Sequence, residues 1–128
     1  MRADCIGTPV LNSPDSVEFA DEWIGAWNAH DVEALSANYA DYVVFTSPTA
    51  LRFAPESEGT IFGKEALRHH WTVLLAEDSD LHLRLVGVYA GVDTMVLHYL
   101  NRRDGLVNEV LTFRNGLIAV GHATHLQD

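Results

Sequence analysis

The sequence predicts an α+β domain in which three helices come first and pack on one face of a strongly curved antiparallel sheet. Two observations lead to this prediction. Apolar residues recur at helical spacing before residue 80, whereas the chain after residue 80 is a series of strand-like segments separated by short turns. A length of 128 residues suits one domain, so we assign residues 13–128 to it and residues 1–12 to a lead-in.

Capping residues and apolar periodicity define the predicted helices. The first helix begins at Ser13, whose hydroxyl can cap it. A proline and then an acid follow Ser13, as is common in the first turn of a helix. Asp31 can cap a second helix over residues 32–39, and a third is predicted over residues 63–77.

Segments rich in β-branched and aromatic residues are predicted strands, over residues 42–46, 81–89, 94–102, 106–114 and 117–125. Among the turns that join the last four, Asn115-Gly116 is the strongest hairpin signal in the chain. Residues 48–62 are predicted to form a long loop, which in a compact domain is typical of a lid or a pocket rim.

Charge and composition exclude several classes of function. A total of 18 Asp and Glu against 8 Lys and Arg gives a formal charge of −10, which repels nucleic acids and anionic membranes. No apolar run approaches the roughly 20 residues of a membrane span, and the N-terminus lacks the pattern of a signal peptide. We therefore expect a cytoplasmic protein with neither a nucleic-acid nor a membrane partner.

The histidines do not form a metal-binding pattern. His69 and His70 are adjacent on a predicted helix and diverge by about 100°. His122 and His125 lie three residues apart on a predicted strand and therefore point to opposite faces. No glycine-rich phosphate loop precedes a helix either, so we expect no metal and no cofactor.

Four short motifs follow one another along residues 14–126: Trp27-Asn28-Ala29-His30-Asp31, Tyr39-Ala40-Asp41, Gly63 with the helix after it, and Phe113-Arg114-Asn115-Gly116-Leu117-Ile118. In order and spacing they resemble the SnoaL-like branch of the nuclear transport factor 2-like superfamily. The resemblance implies a cone-shaped α+β barrel whose open end holds a mostly apolar pocket, commonly in a homodimer. Members of the superfamily include polyketide cyclases, ketosteroid isomerases, dehydratases, epoxide hydrolases and many proteins without an established reaction.

Ketosteroid isomerases are the informative relatives, because they use a carboxylate base together with a tyrosine and a protonated aspartate that stabilise an oxyanion. The resemblance places the family tyrosine at Trp23, the base at Ser47 and the second acid at Leu111. All three are replaced, and neither serine nor leucine supplies the missing chemistry at neutral pH. We therefore do not expect the steroid isomerase mechanism.

The same resemblance, combined with strand alternation, predicts which side chains line the pocket. Trp27 is assigned to the core against the sheet, whereas Trp23 and Trp71 are assigned to pocket walls that could stack on a flat ring. The full predicted set is Trp23, Tyr39, Phe45, Ser47, His70, Trp71, Val96, Val107, Leu111, Phe113, Ala123 and His125.

His98 and Glu109, on neighbouring predicted strands, are the candidate catalytic pair. If both face inward, the carboxylate can orient or charge the imidazole and form an acid/base unit. The alternative is that Glu109 lies near the mouth or pairs with Arg102 or Arg114 across the sheet.

Three functions are open at this point. The first is a cofactor-free isomerase, cyclase or dehydratase that acts by proton transfer on a small hydrophobic substrate, carbonyl-bearing or polycyclic. The second is a non-catalytic ligand-binding or accessory protein with the same pocket. The third is a protein-interaction module or homodimer that uses the outer sheet face, with the outward residues Val110, Thr112, Ile118, Val120, His122 and Thr124.

Overall fold

A computed structural model describes residues 15–127, which form four α-helices and six β-strands. In chain order these are α1 (Ser16–Asn28), α2 (Val32–Ser36), β1 (Tyr39–Thr46), α3 (Pro48–Phe53), β2 (Thr60–Phe62), α4 (Lys64–Glu77), β3 (Arg84–Ala90), β4 (Thr94–Leu100), β5 (Leu106–Arg114) and β6 (Leu117–His125). A short 3-10 turn over Pro55–Ser57 joins α3 to β2. The α+β class is confirmed, whereas the predicted lead-in lies outside the described residues.

The six strands form one curved, unclosed sheet in the order β2-β1-β6-β5-β4-β3. The prediction of a wholly antiparallel sheet is wrong in one place, because β1 and β6 run parallel. Hairpin turns force antiparallel pairing only between strands that follow one another closely. Most of the chain separates β1 from β6, so no short turn constrains their direction.

Several predicted boundaries differ from the structure. Helix α2 ends at Ser36, and Tyr39 begins β1 instead of closing the helix. The region predicted as a loop over residues 48–62 contains α3, the 3-10 turn and β2. Ser47 accounts for α3, since its side chain accepts a hydrogen bond from the backbone N–H of Thr49 and a proline occupies the first helical position. At α1, Asp15 is the capping residue, and the predicted cap Ser13 lies outside the described residues.

Register decides which side chains reach the interior. On β5 the inner residues are Val107, Glu109, Leu111 and Phe113, as predicted. On β4 the inner residues are Met95, Leu97 and Tyr99, one position away from the predicted Val96 and His98. An irregularity between Thr112 and Phe113 shifts the pairing of β5 with β6, and as a result Ile118 is fully buried instead of outward-facing.

The turn between α1 and α2 fastens the helices to the segment before β3. Asn28 accepts a hydrogen bond from the backbone N–H of Leu83 (2.7 Å) and donates one to its carbonyl (2.9 Å). The His30 ring lies 2.9 Å from the carbonyl oxygen of Leu81. The Trp27–Asp31 motif therefore has a structural role. We call the two hydrogen bonds between Asn28 and the Leu83 backbone the Asn28 clasp, and they hold the C-terminal end of α1 against the segment before β3.

Replacing Asn28 with alanine is expected to lower the free energy of unfolding by about 2–4 kcal/mol, because it leaves both buried backbone groups of Leu83 unpaired. Urea unfolding of the wild type and the variant measures this loss. Asn38→Ala is the matched control, since Asn38 makes only long 3.3 Å bonds at the end of α2 and should cost far less. A loss for Asn28→Ala no larger than for the control would contradict the clasp.

Within residues 15–127, no helix is long and apolar enough to cross a membrane. The core lies between α1, α4 and the concave face of the sheet, and its largest fully buried side chains include Trp23, Tyr39 and Phe113.

Candidate functional site

A cavity of about 470 Å³ lies beside the core, between the C-terminal parts of α1 and α4, α3 and strands β4, β5 and β6. Its apolar walls include Trp27, Phe45 and Trp71. Exposed side chains such as Arg52, Glu77 and Arg103 also line it, so the cavity reaches the surface.

Glu109 is a carboxyl group buried in this wall. It lies in the middle of β5 between Leu97 of β4 and Ala123 of β6, and only 5% of it is exposed. The hydroxyl of Tyr99 donates a hydrogen bond of 2.9 Å to its Oε1 atom. Its Oε2 atom is buried and has no hydrogen-bond partner among the described residues. One oxygen of the carboxyl group is thus held in place, and the other is buried without a partner among the described residues.

Burial raises the pKa of Glu109 from its ordinary 4.5 to about 7, while the hydrogen bond from Tyr99 acts in the opposite direction. The pKa of Tyr99 is raised well above 10.0 by burial and by the nearby Glu109 charge, so its hydroxyl keeps its proton and remains a donor. A carboxyl group that titrates near neutral pH can both take and return a proton.

Removing the Tyr99 hydroxyl is expected to raise the pKa of Glu109 further above about 7, because the Tyr99 hydrogen bond favours the charged form. An NMR titration of the Glu109 carboxyl carbon in Tyr99→Phe measures the shift. Glu22→Gln is the control, since this exposed residue of α1 lies outside the cavity lining. An unchanged or lower pKa in Tyr99→Phe would contradict the assigned hydrogen bond.

The predicted pairing of His98 with Glu109 is wrong. His98 lies opposite Asn108 on the other face of the sheet, and its Nδ1 atom is 2.5 Å from the Asn108 side-chain oxygen. Adjacent positions on a strand point to opposite faces, so a carboxylate at 109 meets the residue at 99 and not the one at 98. The predicted alternative, an ion pair of Glu109 with an arginine across the sheet, is wrong as well. Arg102 pairs with Asp78, and Glu109 bonds to Tyr99.

The roles predicted for two tryptophans are exchanged. Trp23 is buried behind the cavity and donates a hydrogen bond of 3.1 Å to the Tyr39 hydroxyl. Neither Trp23 nor Tyr39 is part of the cavity lining. Trp27, predicted to be ordinary core, lines the cavity instead. The two residues are one helical turn apart, so the pattern could not show which of them reached the open end.

The other predicted pocket residues fall into two groups. Leu111 and Phe113 are fully buried core residues beyond the cavity, and Val96 lies on the outer face. The residues that the structure places in the cavity wall are Phe45, Ser47, His70, Trp71, Val107, Ala123 and His125. Tyr99, Arg52, Asn101 and Arg103 also line it and were not predicted.

Two histidines of the cavity wall are biased toward the neutral form. Burial, and then the neighbouring His69, lowers the pKa of His70. Burial, and then the positive charge of Arg52, lowers the pKa of His125. His122, in contrast, lies 2.6 Å from Thr46 on the outer side of β6. In residues 15–127 there is no group of three His, Cys, Asp or Glu side chains that could hold a metal ion.

The family model of the SnoaL-like domain matches residues 20–120. The chain belongs to the SnoaL-like family. A SnoaL-like protein of unknown function from Burkholderia thailandensis has 34% sequence identity and a TM-score of 0.83, over 88% of this chain and 94% of that one. A comparison with curated proteins found no match.

More distant solved structures share the fold. One is TerC, co-crystallised with polyporic acid, with 13% identity and a TM-score of 0.71 over 87% of this chain and 91% of that one. Another is a candidate polyketide cyclase from Sinorhizobium meliloti, with 15% identity and a TM-score of 0.66 over 84% of this chain and 94% of that one.

Proposed function

We propose that this SnoaL-like protein is a cofactor-free enzyme that transfers a proton on a small, mostly apolar, carbonyl-bearing molecule. Isomerisation, cyclisation and dehydration are the reactions of this type. The observation that carries the proposal is Glu109, a buried carboxyl group with a pKa of about 7 and one unpartnered oxygen in a cavity wall. Perturbed carboxyl groups in clefts are concentrated at functional sites.

The proton transfer assigns a defined task to each oxygen of Glu109. The carboxylate Oε2 takes a proton from the carbon next to the substrate carbonyl, and the electron pair of that C–H bond becomes the enolate double bond. Oε1 stays bonded to the Tyr99 hydroxyl, which fixes the direction of Oε2. The resulting carboxylic acid then returns the proton to another carbon, which isomerises the substrate, or to a leaving hydroxyl, which dehydrates it.

The size and walls of the cavity suit such a substrate. A volume of about 470 Å³ falls within the roughly 300–1,000 Å³ of small-molecule pockets. Trp27, Phe45 and Trp71 supply aromatic surface on which a flat ring can pack. The fold is shared with a candidate polyketide cyclase and with a protein co-crystallised with polyporic acid. This analogy of fold also supports a cyclic, carbonyl-bearing substrate.

The steroid isomerase mechanism is not part of this proposal. Ser47, at the position that the resemblance gives to the base, uses its hydroxyl to cap α3. Leu111 is a fully buried core residue. Glu109 lies two residues before Leu111 on the same inner face of β5, so a carboxyl group remains on this strand at a shifted position.

Exchange of carbon-bound protons tests the proposal without knowledge of the natural product. The protein is incubated in D2O with enolisable cyclic ketones, such as β-tetralone and unsaturated cyclic ketones, and deuterium uptake is followed by NMR. We expect faster exchange than in buffer alone, with a rate that rises with pH through about 7 as Glu109 becomes the charged base. Saturable binding with exchange no faster than in buffer, across the whole panel, would contradict the proposal and indicate a binding protein.

A further inference from the structure

Two side chains that line the cavity each carry a buried polar atom that has no partner among residues 15–127. These atoms are Oε2 of Glu109 and the indole Nε1 of Trp27. Both side chains are more than nine-tenths buried. A buried donor or acceptor without a partner is costly, and native proteins rarely keep one without a reason. Oε2 of Glu109 can accept or supply a proton, whereas the indole N–H of Trp27 can only donate a hydrogen bond.

The Trp27 indole is held in a fixed orientation. Its ring meets the ring of Trp23 at 6.0 Å and that of Trp71 at 5.7 Å, in edge-to-face contacts on two sides. The C-terminal end of α1, which carries Trp27, is fastened by the Asn28 clasp. The N–H group is therefore preorganised, as a donor to a developing negative charge has to be.

Three arginines lie at the exposed end of the same cavity, together with the acids Glu77 and Asp78. The chain has 8 Lys and Arg residues and a net charge of −10, yet Arg52, Arg102 and Arg103 all line this one cavity. Asp78 pairs with Arg102, whereas Arg52 and Arg103 form no ion pair with another described residue. Burial, and then the charge of Arg52, lowers the pKa of His125 in the same cavity wall.

The arginine at position 103 sits on a well-defined turn. The Asn101 side-chain oxygen accepts hydrogen bonds from the backbone N–H groups of Arg103 (3.0 Å) and Gly105 (2.9 Å). Arg52 projects from α3, which the Ser47 cap begins. The Arg52 guanidinium lies 4.9 Å from the centre of the Phe53 ring. Two arginines on separate elements thus line one cavity, and guanidinium groups suit a carboxylate.

We infer that the substrate is an anionic carbonyl compound that binds with its carbonyl oxygen on Trp27 Nε1 and its anionic group at Arg52 and Arg103. This inference rests on the proposed function and adds a substrate class and an orientation to it. When Glu109 removes the neighbouring proton, the C–H electron pair moves into the enolate and the negative charge settles on the oxygen. Trp27 then donates its hydrogen bond to that oxygen, and no other reactant is consumed.

A matched pair of ligands tests the anionic group. The probes are a β-tetralone that carries a carboxylate on its aromatic ring and the methyl ester of the same compound, and calorimetry measures both affinities. We expect the acid to bind about tenfold more tightly or better, because hydrogen bonds to charged groups are the stronger ones. The double variant Arg52→Gln/Arg103→Gln should remove this preference, so that acid and ester bind with similar affinity.

Arg84→Gln/Arg114→Gln is the control for net charge, since it removes the same two charges from exposed residues outside the cavity. The control should keep the preference for the acid. Equal affinities of acid and ester in the wild type, or loss of the preference in both double variants, would overturn the anionic assignment.

The indole N–H resonances report the contact with Trp27 independently of turnover. β-Naphthol, a stable mimic of the enol, should shift the Trp27 indole proton, assigned by its loss in Trp27→Phe, and leave that of Trp23 nearly unmoved because Trp23 already bonds to Tyr39. In the exchange assay Trp27→Phe should lower the rate for bound ketone about 100-fold with a much smaller change in affinity. Equal shifts of Trp27 and Trp23, or a loss confined to affinity, would overturn the role of Trp27.

These readouts separate the inference from the proposed function. A selective Trp27 shift and an arginine-dependent preference for the acid, without any exchange, would support the binding mode and overturn the proton transfer alone.

Discussion

Replacing Glu109 with glutamine is expected to lower the rate of ketone proton exchange by about 10²–10⁴-fold, the usual contribution of a positioned general base. Glutamine keeps the shape of the side chain and an oxygen that can accept the Tyr99 hydrogen bond, but it cannot take a proton. The affinity for β-tetralone should change much less than the rate. The deuterium-uptake assay measures the rate, and calorimetry measures the affinity.

Glu22→Gln supplies the comparison for this prediction, because it removes the same formal charge from the exposed surface of α1. It should exchange protons at the wild-type rate. Retention of exchange in Glu109→Gln within a factor of about three of the control would show that another group is the base.

The pH dependence of stability should carry the signature of the same residue. The pKa of Glu109 is raised from 4.5 to about 7 in the folded state. A raised folded-state pKa gives a contribution that is fully present below about pH 4.5 and is lost as the pH rises through about 7. The wild type should therefore lose roughly 3 kcal/mol of unfolding free energy relative to Glu109→Gln between acid and mildly alkaline pH.

Urea unfolding of both proteins at several pH values measures this difference. Contributions from His70 and His125, which titrate in both proteins, cancel when the two curves are subtracted. Glu22→Gln should follow the wild type instead of Glu109→Gln. Parallel curves for the wild type and Glu109→Gln would mean that burial does not disfavour the Glu109 charge.

The fold class and the β5–β6 hairpin could be predicted from the sequence. Strands β5 and β6 have the predicted bounds because Asn115-Gly116 fixes their hairpin. The parallel contact between β1 and β6 could not be predicted locally, since it depends on the path of the whole chain. The short helix α3 was not predicted, because Ser47 and Pro48 both end β1 and begin α3.

The candidate site was found only in part. Strand alternation placed Glu109 on the inner face of β5, although a position near the mouth or a pair with Arg102 or Arg114 was left open. The face of β4 was predicted wrongly, because Met95, Val96 and Leu97 are all apolar and give no alternation. Pairing of Leu100 with Leu106 across the turn places Tyr99 on the inner face, and this was the signal that could have found Glu109's partner.

Direct titration of Glu109 tests the central claim most plainly. The carboxyl carbon, labelled with ¹³C and assigned by its absence in Glu109→Gln, is followed by NMR as the pH is varied. We expect a midpoint near pH 7, set by burial against the hydrogen bond from Tyr99. A midpoint near the ordinary 4.5 would contradict the claim, because a carboxyl group that stays charged under mildly acidic conditions is not held in the desolvated wall of this cavity.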